Sequence, residues 1–336
     1  MSLSRVLAVL ALAALGLAPA AGADGPTLGT IERLDPAFDK LIAPSTTLEL
    51  LEANKFEWSE GPVWVPDGKY LLFSDIPRNQ IWKWKQGEGL SVFLKPAGYS
   101  GTTPFTGREP GSNGLLLDKE GRLVLCQHGD RRVARREKDG TLKTLADRYM
   151  GKRFNSPNDG CFAANGDLYF TDPPYGLPRQ MDDPGKELDF QGVYRLTPQG
   201  QLTLLTKEMT RPNGIALSPD EKTLYVANSD PRQAIWKAFD VKPDGTIANG
   251  RVFFDTTAWV AQRKPGLPDG LKVDRAGNVF ATGPGGVLVF NSAGKHLGTI
   301  ATGVPTANCG WGDDGSVLYV TADKNLCRIK TLTKGK

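Results

Sequence analysis

Histidine is almost missing from this chain of 336 residues: there are only two, His128 and His296. Cysteine is scarce as well, with Cys126, Cys161, Cys309 and Cys327 and no C-x-x-C among them. Together these shortages argue against a His-rich transition-metal centre, thioredoxin-type redox chemistry and a disulfide-built miniprotein. Aromatics make up 9% and charged residues 23%, and the net charge of +4 is too mild to suggest a nucleic-acid partner. G-x-S-x-G and P-loop patterns are both absent. Glycine and proline, by contrast, are abundant: 39 and 24, or 63 of 336 residues. With 40% apolar residues, this is the composition of a folded, turn-rich chain, all-β rather than helical, whose polar chemistry rests on oxygen.

The longest apolar run lies at the start. Arg5 is followed by Val6–Leu12, then by small residues ending in Ala21-Gly22-Ala23. A short charged segment, an apolar core and an A-x-A pattern predict a secretory signal over residues 1–23, hence an exported protein, periplasmic or secreted. A membrane anchor is the rival reading. The short apolar core and the missing basic flank speak against it, and no membrane contact is expected after signal removal. Export would permit disulfides, and the four cysteines allow three complete pairings that the sequence does not rank. Residues 24–45 read as an irregular lead-in, and residues 46–332 as one catalytic domain of unknown oligomeric state.

That domain is repetitive. An acid or amide, a glycine, a short apolar stretch, a tight turn and a β-rich run recur around Gly61, Gly114, Gly160, Gly214, Gly270 and Gly310. The spacings are 53, 46, 54, 56 and 40 residues. Such a period predicts a six-bladed β-propeller of four-stranded blades. The sixth blade runs out of chain after three strands, so Thr47–Leu51 is expected to supply its outer strand and close the ring.

The residue before each glycine enters the innermost strand near the propeller axis. Glu60, Asn113, Asp159 with Asn158, Asn213, Asp269 and Cys309 with Asn308 therefore converge there. A lone Asn-Gly or Asp-Gly pair is ordinarily a turn. Five or six in register with a repeat are a ring, and Glu60 gains nothing locally by preceding a glycine. Crowded carboxylates and amide oxygens suit one hard divalent cation. Calcium fits best, with zinc, manganese and magnesium as alternatives. The second strands return to the same face, placing Asp75, His128, Asp172, Asn228, Gly283 and Asp323 around the mouth. His128 is a candidate base or proton shuttle. Arg153 could reach over the cavity and orient a polyhydroxylated or acidic substrate. His296 reads as a solvated surface residue.

Several segments resemble the gluconolactonase and regucalcin (senescence marker protein) family, most of all its bacterial gluconolactonase branch. They are Ser59-Glu-Gly-Pro-Val-Trp64, Cys126-Gln-His-Gly-Asp-Arg-Arg-Val133, Asn155-Ser-Pro-Asn-Asp-Gly160, Thr171-Asp-Pro-Pro-Tyr-Gly176, Asp183-Pro-Gly-Lys-Glu-Leu-Asp-Phe190 and Arg211-Pro-Asn-Gly214. The resemblance implies a catalytic divalent cation held by Glu60, Asn158, Asn213 and Asp269. It also implies a substrate-contacting arginine, for which Arg153 is the nearest match. This chain reads R-F-N-S-P-N-D-G where the family reads R-F-N-D-G, so Asn155 competes with Asn158. The implied reaction is hydrolysis of a small sugar lactone to its aldonic acid. Asp269 is favoured as base with His128 in reserve, and Asn113, Arg153 and His128 would contact the substrate. Hydrolysis of another ester or phosphoester, or a non-enzymatic calcium-stabilised binding propeller, are the alternatives.

Overall fold

A computed structural model describes residues 25–336, and the expected signal segment lies outside the described residues. Six antiparallel sheets follow one another around a ring. Strands Ser59–Val65, Tyr70–Asp75, Gln80–Lys85 and Gly89–Leu94 form the first blade, each pairing with the next. The second, third and fourth blades repeat this order from Ser112–Leu117, Gly160–Phe162 and Pro212–Leu217, and the fifth from Leu271–Val273. The sixth has Asn308–Gly312, Val317–Ala322 and Asn325–Lys330, with Glu49–Glu52 as its outer strand. The propeller and its N-terminal closure are thus as the repeat predicts.

Alternation along each strand turns apolar side chains to both faces of a blade, where the neighbouring blades bury them. Among the described residues the buried apolar side chains gather in six clusters, one per interface between blades. Leu72 and Ile81 meet Leu115 and Leu125, and Val124 and Val133 meet Phe170 and Tyr194. Tyr169 and Val193 meet Ile215 and Val226, and Tyr225 and Trp236 meet Leu271 and Phe290. Phe280 and Val287 meet Leu318 and Val320, and Tyr319 and Leu326 close the circle on Phe73 and Trp84.

The expected lead-in, described from residue 25 to 45, is more ordered than expected. Thr30–Arg33 adds a fifth strand to blade five, antiparallel to His296–Ala301, and Pro36–Lys40 forms a 3-10 turn that buries Phe38. Four alternating residues are too short a run for periodicity to reveal. His296 is also corrected: it lies within a strand, its ring 5.3 Å from Phe290 and 5.5 Å from Trp259. All four cysteines carry free thiols in this structure. Among the described residues, no helix is long and apolar enough to cross a membrane.

Candidate functional site

The inner strands start with a defect that aims side chains at the axis. Pairing to the second strand skips between Glu60 and Val63, between Ser112 and Leu115, and between Pro212 and Ile215. Each skip is a β-bulge, which re-aims a side chain at the cost of ladder pairing. In four of the repeats, at Gly61, Gly114, Gly214 and Gly310, the glycine sits where the backbone of the next blade comes closest. A Cβ at Gly61 would stand 2.2 Å from the Asn113 carbonyl, and one at Gly214 would stand 2.1 Å from that of Asp269. Only glycine allows backbones that close. Second-strand hydroxyls complete the linkage: Ser74 Oγ donates to Asn113 O at 2.8 Å, and Thr171 Oγ1 to Asn213 O at 2.7 Å.

The axis opens into a cavity of about 430 Å³ whose walls include Glu60, Asn113, Asn158, Asn213 and Asp269. Among the described residues, no donor reaches Asn113 Oδ1, Asn158 Oδ1, Asn213 Oδ1 or Asp269 Oδ1, although all four are buried. Buried acceptors normally have partners, so four orphans in one place call for a ligand. Their nitrogens are partly accounted for. Asn213 Nδ2 donates to Ser229 Oγ at 3.0 Å, and Asn158 Nδ2 lies 3.5 Å from His128 Nε2. Glu60 Oε2 accepts from Gly61 N at 2.8 Å. Burial pushes the Glu60 and Asp269 carboxyls well above the usual carboxylate range. The nearby Asp159 charge adds to this at both, and at Asp269 the Glu60 charge adds still more. Two carboxylates and amide oxygens without donors form a set that could hold a hard divalent cation.

Asn155 is placed elsewhere. Its Nδ2 donates to the Asp172 and Phe190 carbonyls, while Asn155 N and Ser156 N donate to the Asp172 carboxylate at 2.9 and 2.8 Å. The three extra residues of R-F-N-S-P-N-D-G thus wrap around Asp172 and leave Asn158 in the cavity wall. Burial raises Asp172 to about 7 despite those two bonds. Arg153 stays on a short hairpin, Arg148–Tyr149 against Lys152–Arg153, where its guanidinium donates to Asp130 O at 3.0 Å. It is not among the residues lining the cavity.

The second-strand ends also differ from expectation. Asp75 accepts from Glu57 N and Trp58 N, and Asn228 from Arg211 N, so like Asp172 they brace the loop entering their own blade. His128 is fully buried behind Asn158 rather than in the wall, with Nδ1 2.9 Å from Glu109 Oε2 but off the ring's N–H axis. Blade six departs too: burial raises the Cys309 thiol to about 12, and Asn308 Nδ2 turns to Asp159 Oδ2 at 3.2 Å. Lys272 Nζ lies 3.9 Å from that oxygen, making a second polar layer under the ring. Glu109 and Tyr175, which the sequence reading did not single out as site residues, line the cavity. Both come from loops outside the repeated pattern, although Tyr175 lies within the T-D-P-P-Y-G segment.

Residues 58–324 match the family described as the SMP-30/Gluconolactonase/LRE-like region. The chain is 41% identical to a gluconolactonase of Zymomonas mobilis, over 93% of its own length and 89% of that protein. It is 28% identical to a pentonolactonase of Haloferax volcanii, over 78% of this chain and 80% of that one. A solved structure of a gluconolactonase from Xanthomonas campestris superposes with a TM-score of 0.77 at 32% identity, covering 95% of this chain and 99% of the other. With the family match spanning most of the propeller, this chain belongs to the SMP-30/gluconolactonase family.

Proposed function

We propose that the protein is a lactonase that opens a sugar lactone, gluconolactone among the candidates, to its aldonic acid by metal-assisted hydrolysis. The observation that carries this reading is the group of four buried oxygens without donors, in the same wall as two carboxyls pushed up by burial. Relatives that open lactones make the reaction class the natural one for this cavity. Glu60, Asn158, Asn213 and Asp269 would hold the cation, calcium by preference for an all-oxygen set. When bound, such an ion polarises a carbonyl and lowers the cost of negative charge on its oxygen.

The chain's own residues do the rest. Ser229 fixes the Asn213 amide by accepting its N–H, and its own hydroxyl donates to the Pro268 carbonyl next to Asp269. Asn113 presents an acceptor to a substrate hydroxyl. Asp269 takes the proton of the attacking water on its carboxylate and returns it to the ring oxygen as the acyl C–O bond breaks. His128 packs behind Asn158 and Glu109 and does not line the cavity. Trp58, Ile76, Val260 and Leu267 line the cavity and limit bulk water around the reacting atoms. The segment 1–23 supports a role outside the cytoplasm, after export.

Chelation is the direct test. Purified protein in a pH-stat assay is expected to open gluconolactone, to stop in excess chelator and to recover on adding calcium. Full activity in chelator would overturn the metal, and inactivity across a lactone panel would overturn the reaction. A second expectation concerns protons. Glu60 and Asp269 hold protons at higher pH than ordinary carboxyls, yet a cation binds them ionised, so binding must release protons. Affinity should therefore climb with pH through the neutral range. Calorimetry in two buffers of different ionisation enthalpy should show that release; identical heats and a pH-independent affinity would contradict it.

A further inference from the structure

The cavity wall holds three carboxylates, Glu60, Glu109 and Asp269, and no lysine or arginine among the described residues. Glu60 and Asp269 offset the two positive charges of a divalent cation. Asp159, in the layer beneath, has the Lys272 ammonium beside it. Glu109 is the carboxylate left over. Its neighbour is His128, whose Nδ1 lies 2.9 Å from Glu109 Oε2. The Asn158 amide nitrogen lies 3.5 Å from His128 Nε2 on the other side of the ring.

Glu109 is also held firmly. Its loop is tied where it leaves blade one, because Asn79 Oδ1 accepts from Ala97 N, Gly98 N and Tyr99 N at 3.1, 2.7 and 3.2 Å. It is tied again just past Glu109, where Gly111 N donates to Ile76 O at 3.0 Å and His128 N to Gly111 O at 3.1 Å. A Cβ at Gly129 would stand 2.5 Å from Pro110 O, so that side of the loop has no slack. A side chain fixed at its base and backed by a buried imidazole is a preorganised contact.

We propose that Glu109 sets the substrate class of this cavity: it accepts hydrogen bonds from the hydroxyls of neutral polyhydroxylated lactones and excludes lactones that carry a carboxylate of their own. This rests on the lactone-opening reading given above. Hydroxyls donating to a charged acceptor bind more strongly than to a neutral one, by about tenfold or more in affinity. A second carboxylate brought beside Glu109 in a confined wall meets an uncompensated like charge. The same charge opposes retention of the carboxylate that ring opening creates.

The test compares wild type with E109Q on glucono-1,5-lactone, on δ-valerolactone, which has no hydroxyls, and on a glucarolactone with a free carboxylate. For E109Q, kcat/KM on gluconolactone should fall about tenfold or more, mainly through KM. The fall on valerolactone should be several times smaller, and glucarolactone should be opened faster than by wild type. Equal losses on all three substrates, or no change on any, would overturn the proposal alone. A metal-loaded wild type that opens none of them would overturn the lactone reading and this proposal with it. If E109Q does not fold, E109D takes its place. It keeps the charge but withdraws it, so KM for gluconolactone should rise while glucarolactone stays excluded; wild-type KM would count against the proposal.

Discussion

Glu60→Gln is expected to reduce lactone opening by about a thousandfold or more, the loss of several kcal/mol of transition-state stabilisation, while leaving the propeller folded. The substitution keeps the size and the acceptor oxygen that meets Gly61 N, but removes one of two negative charges opposing the cation. Stability should respond in a way that separates this loss from damage to the fold. Without a divalent cation, wild type carries two carboxyls that burial disfavours in their ionised form, and the charge of each raises the other or its neighbour. Gln replaces a carboxyl that burial already favours in its neutral form, so the metal-free variant should melt at or above the wild-type temperature. With calcium at about a hundred times its dissociation constant, wild type should gain about 2.7 kcal/mol from binding, and the variant should gain little. Thermal melting with and without calcium, beside pH-stat kinetics, checks both halves. A variant that melts lower in the metal-free state, or keeps wild-type turnover, would contradict the assignment.

Gly214→Ala is the second large effect, and it acts through the backbone. A Cβ there would lie 2.1 Å from the Asp269 carbonyl oxygen and 2.7 Å from the Gly270 Cα, both main-chain atoms that no rotamer change can move. Blades four and five must separate, and Asp269 moves with them. Overpacking of this kind costs on the order of 3 kcal/mol. A displacement of about 1 Å at a reacting group can cost roughly a hundredfold in rate. Both stability and kcat should fall, and calcium should restore some of the first but not the second. Gly200→Ala is the contrast: Gly200 has φ of +85° and no atom within 4 Å of its absent Cβ. That change should cost about 1 kcal/mol of backbone strain and leave turnover intact. Wild-type turnover in Gly214→Ala would show that the close approach does not position the site.

The parts of the site legible in the sequence are those the repeat indexes. Glu60, Asn113, Asn158, Asn213 and Asp269 all precede or neighbour a repeat glycine, and the propeller turns that one-dimensional register into a circle. Legibility ends where loops take over. Glu109 belongs to a long connection between blades, where no periodicity marks which residue turns inward. His128 follows a strand end, but its depth depends on Gly176 packing against its Cβ, a contact no local pattern records. Arg153 shows how an insertion misleads. The motif survives as letters, yet Asn155 and Ser156 spend the added length on capping Asp172. The second-strand hydroxyls of Ser74 and Thr171 were invisible for another reason: a serine or threonine in a strand is ordinary, and only the neighbouring blade's carbonyl reveals its use.

The strand that closes the ring also sets a schedule. Leu50 pairs with Cys327, and Asn54 N bonds Asn325 Oδ1 across 271 residues of chain. The circle therefore stays open on a ribosome until almost the entire domain has been made. Contacts so distant in sequence form slowly. Glu60 in blade one and Asp269 in blade five cannot be clamped in their final relation before that late step. A nascent chain in this condition is an open circle, and the ring of cavity residues takes its final form only once that last strand is delivered.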